Sequence, residues 1–315
     1  MAFASTPELA SAVTAAGGLG CISTGFESTT ELKSKIQKIR TALKIAAGAP
    51  VPLSIGFAGA ILDITETSDD PRLLVALDEL PAAVLFAFGL DLGKHIAQVN
   101  AHDKENGRKT FIFVQVNSVE SAQRFAPEVD CLVVQDIEAG GHGGSETPPL
   151  FNLLQAVLLA IPSGPLIVAA GDISTGAQIA SLLIMGADGV VLGTRFLFTP
   201  ECEYTRDKKD ILLIADLNAT VRSLAFDNFL PLDFNGLRLP KHNGQDYNAG
   251  LSLEERIAKF EESAAKGEDA RLIVWVGVGA GMITNIKPVS DVLRELHDEA
   301  LEKLGGRASL LGDPV

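Results

Sequence analysis

Seven short apolar segments alternate with amphipathic segments along the first two thirds of the chain. This alternation is typical of a parallel sheet covered by helices. The predicted strands start near Leu19, Val51, Ala83, Phe111, Cys131, Leu166 and Gly189. Predicted helices follow at 29–47, 71–79, 92–102, 119–125, 151–160 and 175–185. The pattern predicts an α/β fold of the TIM (β/α)8 barrel type that is one strand short of a complete barrel.

The missing strand is expected at the start of the barrel. Residues 5–8 combine hydroxyl groups for a helix cap, a first-turn proline and an acidic residue, so the chain opens in a helix. We predict a barrel that lacks its first strand. Either the sequence is truncated at its start, or a later strand fills the gap, and residues 271–279 are the candidate.

The chain is expected to divide into three parts. The (β/α) barrel covers residues 1–199 and is completed by 271–290. Residues 200–270, with charged helical patterns near 208–221 and 253–266, form a helical insertion packed on the barrel. Residues 291–315 add a C-terminal helix and a tail.

Charge and composition exclude several classes of function. A net charge of −14 disfavours nucleic acid and anionic membranes as partners. The three cysteines are far apart and lack a CxxC spacing, so neither disulfides nor a metal site is expected. No apolar run approaches the roughly 18 residues of a membrane span, and the amino terminus does not resemble a secretory signal. We expect a cytoplasmic protein that acts on a small molecule.

A histidine surrounded by glycines follows the fifth predicted strand. His142 lies within the run Gly140, Gly141, Gly143 and Gly144. Glycines allow close approach of the backbone to a ligand, and a histidine has a pKa suited to proton transfer near neutral pH. The loop lies at the carboxyl end of a barrel strand, where active sites are found. We therefore predict that His142 is catalytic, with a structural loop histidine as the alternative.

Other strand ends predict a planar ligand that carries a phosphate. Gln115 and Gln135 can each donate and accept hydrogen bonds, and small neighbours such as Ala58 leave room. The sixth and seventh strands end in glycine turns before helices, an arrangement that can hold a phosphate; these turns contain Gly171, Asp172, Gly193 and Thr194. Ordinary turn glycines are the alternative. Arg195 either contacts the phosphate or forms a salt bridge beneath the loops.

Several further polar residues are expected to be structural. Asp136 and Glu138 lie in a loop and are separated by one isoleucine. We expect their carboxylates not to converge. Three histidines in charged helical segments are expected to face solvent: His95, His102 and His297. His242 lies in a polar loop.

Four stretches together resemble a known family. They are residues 5–20 (STPELASAVTAAGGLG), 138–143 (EAGGHG), 165–175 (PLIVAAGDIST) and 185–201 (MGADGVVLGTRFLFTPE). The chain resembles the nitronate monooxygenases, formerly called 2-nitropropane dioxygenases, from residue 1 to about residue 286. The resemblance implies an FMN-dependent TIM barrel that oxidises an alkyl nitronate or nitroalkane with O2 to a carbonyl compound and nitrite. The alternatives are an NAD(P)H-dependent flavin reductase of quinones or enoyl thioesters, and a non-catalytic barrel that has lost flavin binding.

The resemblance also implies residue roles. His142 is the catalytic base or orients the substrate. The expected cofactor-binding residues are Met1, Ala58, Gln115, Gln135, Gly140, Gly141, Gly171, Asp172, Gly193 and Thr194, of which the last four named surround the phosphate. Many members have a second glycine in place of Asp172. Because a carboxylate aimed at a phosphate weakens its binding, we expect this side chain to turn away or cap the next helix.

Overall fold

The computed structural model describes residues 4–89, 91–144, 146–223, 237–240, 250–266 and 274–305. Its strands are, in chain order, β1 (Gly20–Ser23), β2 (Val51–Ala58), β3 (Pro81–Ala87), β4 (Phe111–Val116), β5 (Cys131–Gln135), β6 (Gly141–His142), β7 (Leu166–Ala170), β8 (Gly189–Val191), β9 (Thr220–Ser223) and β10 (Leu237–Pro240). Seven of them form one parallel sheet in the order β1-β2-β3-β4-β5-β7-β8. The seven predicted strands are confirmed, and the fold is an α/β barrel of the TIM type.

Helices alternate with these strands as predicted. They are α1 (Pro7–Ala15), α2 (Thr29–Ala42), α3 (Gly59–Thr65), α4 (Leu73–Asp78), α5 (Leu92–Asn106), α6 (Val119–Phe125), α7 (Leu150–Ala160), α8 (Gly176–Met185), α9 (Thr194–Leu197), α10 (Arg206–Leu213), α11 (Leu253–Ala265) and α12 (Val289–Gly305). Helix α1 starts where the sequence indicates, because the Thr6 hydroxyl accepts the N–H of Leu9 and Pro7 occupies the first turn. Within the described residues, no helix is both long enough and apolar enough to cross a bilayer.

The core has two parts. The larger lies between the sheet and its helices and contains fully buried side chains such as Ile36, Ile55 and Leu154. The smaller includes Phe198 and Val292, and it joins α1, the segment after β8 and the C-terminal helix. Helix α12 packs on α8 and α1. The C-terminal helical segment is therefore part of the packed body.

The candidate replacement strand is not formed in its described part. Residues 274–277 make no ladder, and Val278–Met282 is a 3-10 helix. Instead of pairing with a strand, the N–H groups of Gly277 and Gly279 donate to side chains at the ends of β7 and β8. In the described sheet β1 and β8 remain the edge strands. Residues 1–3 and 271–273 lie outside the described residues.

The segment that follows β8 is only partly helical. The helix predicted at 208–221 ends at Leu213, and residues 220–223 form β9. Strand β9 pairs with β10, and β10 pairs with β6 in an antiparallel sheet. The helix predicted at 253–266 is confirmed as α11. The small sheet ties the segment after β8 to the histidine loop.

Candidate active site

The carboxyl ends of β2 to β5 supply small side chains and two amides. The register sets Ala58 opposite Ala87, Gln115 opposite Val133 and Gln135 opposite Ala170. Gln115 Nε2 is buried and has no hydrogen-bond partner among the described residues. Because an unpaired buried donor is costly, this amide is suited to a polar ligand. These residues fit the edge of a planar ring such as the isoalloxazine of the expected flavin.

His142 lies between two aromatic rings at this end of the barrel. Its imidazole stacks on Trp275 with a centroid separation of 5.3 Å and meets Phe88 edge-on at 6.4 Å. The Gln135 side chain donates to the His142 carbonyl oxygen over 3.2 Å, which joins the loop to the end of β5. The histidine is therefore held in a defined aromatic slot.

Trp275 was not singled out by the sequence reasoning. Its backbone is fixed by Tyr204, whose hydroxyl donates to the Trp275 carbonyl oxygen over 2.9 Å and accepts the Trp275 N–H over 3.0 Å. Burial raises the pKa of Tyr204, so its hydroxyl stays protonated and can act as a donor. The only tryptophan of the chain, beside a glycine-rich run, was the available signal.

Arg222 was also missed. Its guanidinium donates to the carbonyl oxygens of Ile137 and Ala139 at 3.1 and 2.9 Å, and these residues belong to the loop that precedes His142. Arg222 lies in β9, beyond the point at which the predicted helix ends. No local sequence signal places this residue against a loop more than 80 positions earlier.

Asp136 and Glu138 do interact, contrary to expectation. Asp136 Oδ1 accepts the N–H groups of Glu138 and Ala139 at 3.0 and 2.9 Å, which folds the loop back on itself. Burial, the Glu138 side chain and the Asp172 charge together raise the pKa of Asp136 to about 7, with burial as the largest cause. Gly171, with a φ of +118°, lies against the Asp136 carboxylate where a Cβ would collide. This glycine therefore makes room for a buried acid.

The corner between β7 and β8 is filled by the chain itself. The Asp172 carboxylate accepts the N–H of Gly279, and the Thr194 hydroxyl accepts the N–H of Gly277 over 2.9 Å. Asp172 does not cap the next helix, because Thr175 does so. Its side chain turns toward residues 277–279. The residues at this corner, as arranged, do not fit a phosphate, whereas those at the ring end fit a flavin ring.

The remaining expected site residues have varied positions. Gly193 is the residue before α9, and Gly141, with a φ of +76°, lies in β6. Arg195 is buried and lines a pocket of about 150 Å³ with Glu295, whose charge raises its pKa against the effect of burial, but its Nη1 atom has no hydrogen-bond partner among the described residues. Met1 and His242 lie outside the described residues.

Gly140 marks the closest approach between the histidine loop and residues 274–282. A Cβ at this position would lie 2.5 Å from the Val276 carbonyl carbon and 2.6 Å from the Gly277 nitrogen. We expect Gly140→Ala to lower the free energy of unfolding by about 1–3 kcal/mol, because two backbone segments must separate. Chemical denaturation followed by Trp275 fluorescence measures the loss. Gly189→Ala is the matched control, since its Cβ would meet only Val168 at 3.4 Å; equal losses in both variants would contradict the prediction.

Comparisons with known proteins find a matching family model, similar curated proteins and similar solved structures. The family model described as nitronate monooxygenase matches residues 1–299. A nitronate monooxygenase of Neurospora crassa is 28% identical, over 94% of this chain and 86% of that protein. The structure of FabK from Thermotoga maritima is similar with a TM-score of 0.77 at 26% identity, covering 98% of this chain and 93% of that one. Nitroalkane oxidase from Streptomyces ansochromogenes gives a TM-score of 0.74 at 27% identity, covering 98% and 95%.

Proposed function

The chain belongs to the nitronate monooxygenase family, and we propose that it uses FMN and O2 to oxidise alkyl nitronates to a carbonyl compound and nitrite. Membership in this family makes it a flavin-dependent oxidoreductase that acts on a small molecule. One observation carries this proposal. His142 is held between Trp275 and Phe88 at the barrel end that also bears Gln115 and Gln135. A proton acceptor therefore lies beside a surface suited to a planar ring.

The chain's own residues would perform two tasks. His142 takes the α-proton from a neutral nitroalkane, or donates a hydrogen bond to the oxygens of a nitronate that is already ionised. The aromatic rings of Trp275 and Phe88 restrict the imidazole and exclude water from one side of it. The Gln115 amide, whose Nε2 is buried without a partner among the described residues, would donate to a polar atom of the flavin ring. The bound flavin supplies the electron-transfer chemistry that side chains lack.

The proposal is tested by loading the purified protein with FMN and mixing it without oxygen with propyl-2-nitronate or, separately, with NADH. We expect the nitronate to bleach the visible flavin absorbance, and NADH to leave it unchanged on the same timescale. On admission of air, nitrite and acetone should accumulate together. The flavin alone, at equal concentration, is the control for chemistry outside the protein.

Three outcomes separate the alternatives. Bleaching by NADH alone identifies a flavin reductase and rejects nitronate oxidation. Bleaching by neither compound in a protein that holds its flavin rejects both redox activities. If the protein binds no FMN at concentrations up to about the millimolar range, the proposal that it uses FMN is rejected.

A further inference from the structure

The corner between β7 and β8, where the sequence predicts the cofactor phosphate, is called the phosphate corner below. It already contains an anion that belongs to the protein. In TIM barrels a ligand phosphate is commonly bound by the loops after the seventh and eighth strands together with a helix N-terminus. The corresponding loops here follow β7 and β8, and they carry Asp172 and Thr194. The Asp172 carboxylate accepts the Gly279 N–H at this corner. A carboxylate thus takes a backbone donor that would otherwise be available to a phosphate.

Backbone geometry holds Asp172 in this position. Its φ is +50°, in the left-handed region that aspartate and asparagine tolerate better than most residues. Its carbonyl oxygen accepts the Gln178 side-chain amide over 3.1 Å, which anchors the turn to α8. On the other side, Gly277 and Gly279 are close enough that a Cβ on either would meet Asp172 Oδ1 within 3.0 Å. Two glycines therefore bring the backbone up to this carboxylate.

Among the described residues, acidic groups lie close to Asp172. Asp136 is close enough for the Asp172 charge to raise its pKa, and Glu138 raises it as well. Arg195, in α9 after β8, lines a pocket with Glu295 and Glu299. A phosphate that entered this corner would meet the Asp172 carboxylate, and like charges at short distance repel strongly in a partly buried site.

We propose that Asp172 acts as an internal substitute for the cofactor phosphate and thereby sets the flavin specificity of this site. The flavin is held by its ring, and the terminal phosphate contributes little to affinity. FMN and riboflavin accordingly bind with dissociation constants within about tenfold of each other. The inference depends on the flavin chemistry proposed above, but not on the identity of the oxidised substrate.

Two substitutions separate the charge of Asp172 from its volume. Asp172→Asn keeps an acceptor for the Gly279 N–H and tolerates the positive φ, but removes the charge. Asp172→Gly removes the side chain and frees the N–H. We expect the asparagine variant to tighten FMN binding by about tenfold and the glycine variant by up to about a hundredfold, with changes of less than about threefold for riboflavin.

Binding is measured by titrating each protein into FMN or riboflavin and following the quenching of flavin fluorescence, with circular dichroism to establish that every variant is folded. Asp298→Asn, an exposed carboxylate in α12, is the control for the change in net charge and should alter neither constant. The proposal is overturned if the unmodified protein binds FMN more than about a hundredfold tighter than riboflavin. It is equally overturned if the Asp172 variants shift both flavins alike, or if they gain no FMN binding.

These binding results are independent of turnover. If the unmodified protein binds neither flavin but Asp172→Gly binds FMN, Asp172 does oppose the phosphate, but binding of the flavin by its ring and the FMN-dependent function of the natural chain both fail. If both flavins bind as expected but nitronate is not oxidised, only the proposed reaction fails.

Discussion

His142→Gln is expected to lower the rate of flavin reduction by a neutral nitroalkane by about 10²- to 10⁴-fold, the usual contribution of a positioned general base. Glutamine can still hydrogen-bond, but it cannot accept a proton near neutral pH. Because a nitronate has already lost its α-proton, the same variant should oxidise propyl-2-nitronate with a loss of less than about tenfold. The difference between the two substrates isolates proton transfer from substrate orientation.

The measurement is anaerobic stopped-flow reduction of the loaded enzyme by 2-nitropropane and by its nitronate. His297→Gln is the matched control, because His297 is an exposed histidine of α12, with 70% of its side-chain surface accessible. Equal losses with both substrates would assign His142 to orientation alone. An unchanged rate with both would reject any catalytic role. Flavin affinity, measured by fluorescence, should stay within about threefold of the unmodified value, because His142 is proposed to act on the substrate and not to hold the flavin ring.

The order and type of the main elements could be predicted because each depends on nearby residues. Runs of β-branched and apolar residues locate strands such as β5 and β7, and hydroxyl caps locate the starts of helices such as α1 and α8. Strand β10 was missed because its partner β6 lies far earlier in the chain, with Leu237 opposite His142, and β9 was missed because it pairs only with β10. A two-residue strand has no periodicity from which it could be predicted.

Side chains at the end of a single strand could be singled out from the sequence, whereas contacts between distant segments were missed. Sequence reasoning identified His142, Gln115 and Gln135 from their positions after strands. It could not place Trp275 on His142, because residues 274–282 leave the expected strand conformation to bond with Asp172 and Thr194. Gly140, which is predicted to contact the cofactor, also allows two protein backbones to approach.

The exposure of the histidines also depends on partners that are distant in sequence. His95 was expected to face solvent because charged residues surround it in sequence, yet it is buried with 2% of its surface accessible. Its Nε2 lies 3.2 Å from Asp63, and its ring stacks near Phe86. His102 also contacts acidic side chains and is largely buried, whereas His297 is exposed as expected. A carboxylate on another helix can satisfy a buried imidazole, and a helical pattern does not reveal that partner.

Asp136→Asn is expected to stabilise the protein above pH 7 by as much as about 4 kcal/mol, with little effect at pH 4. The folded protein retains the Asp136 proton up to about pH 7, whereas the unfolded chain releases it near the ordinary value of 3.8. The folded state therefore binds more protons between these values, and its free energy of unfolding falls as the pH rises from about 4 to 7. Above pH 7 both states are ionised, and the loss is complete.

Asparagine removes this pH-dependent loss and keeps the loop intact. Its Oδ1 can accept the N–H groups of Glu138 and Ala139 as the carboxylate does, and its amide can donate toward Glu138. Urea denaturation at pH 4, 6 and 8 measures the difference, with Asp298→Asn as the exposed control. A gain in stability that is the same at all three pH values would show that Asp136 ionises normally. A gain confined to pH 8 and absent at pH 4 would establish that the acid cluster beside the phosphate corner holds a proton in the folded protein.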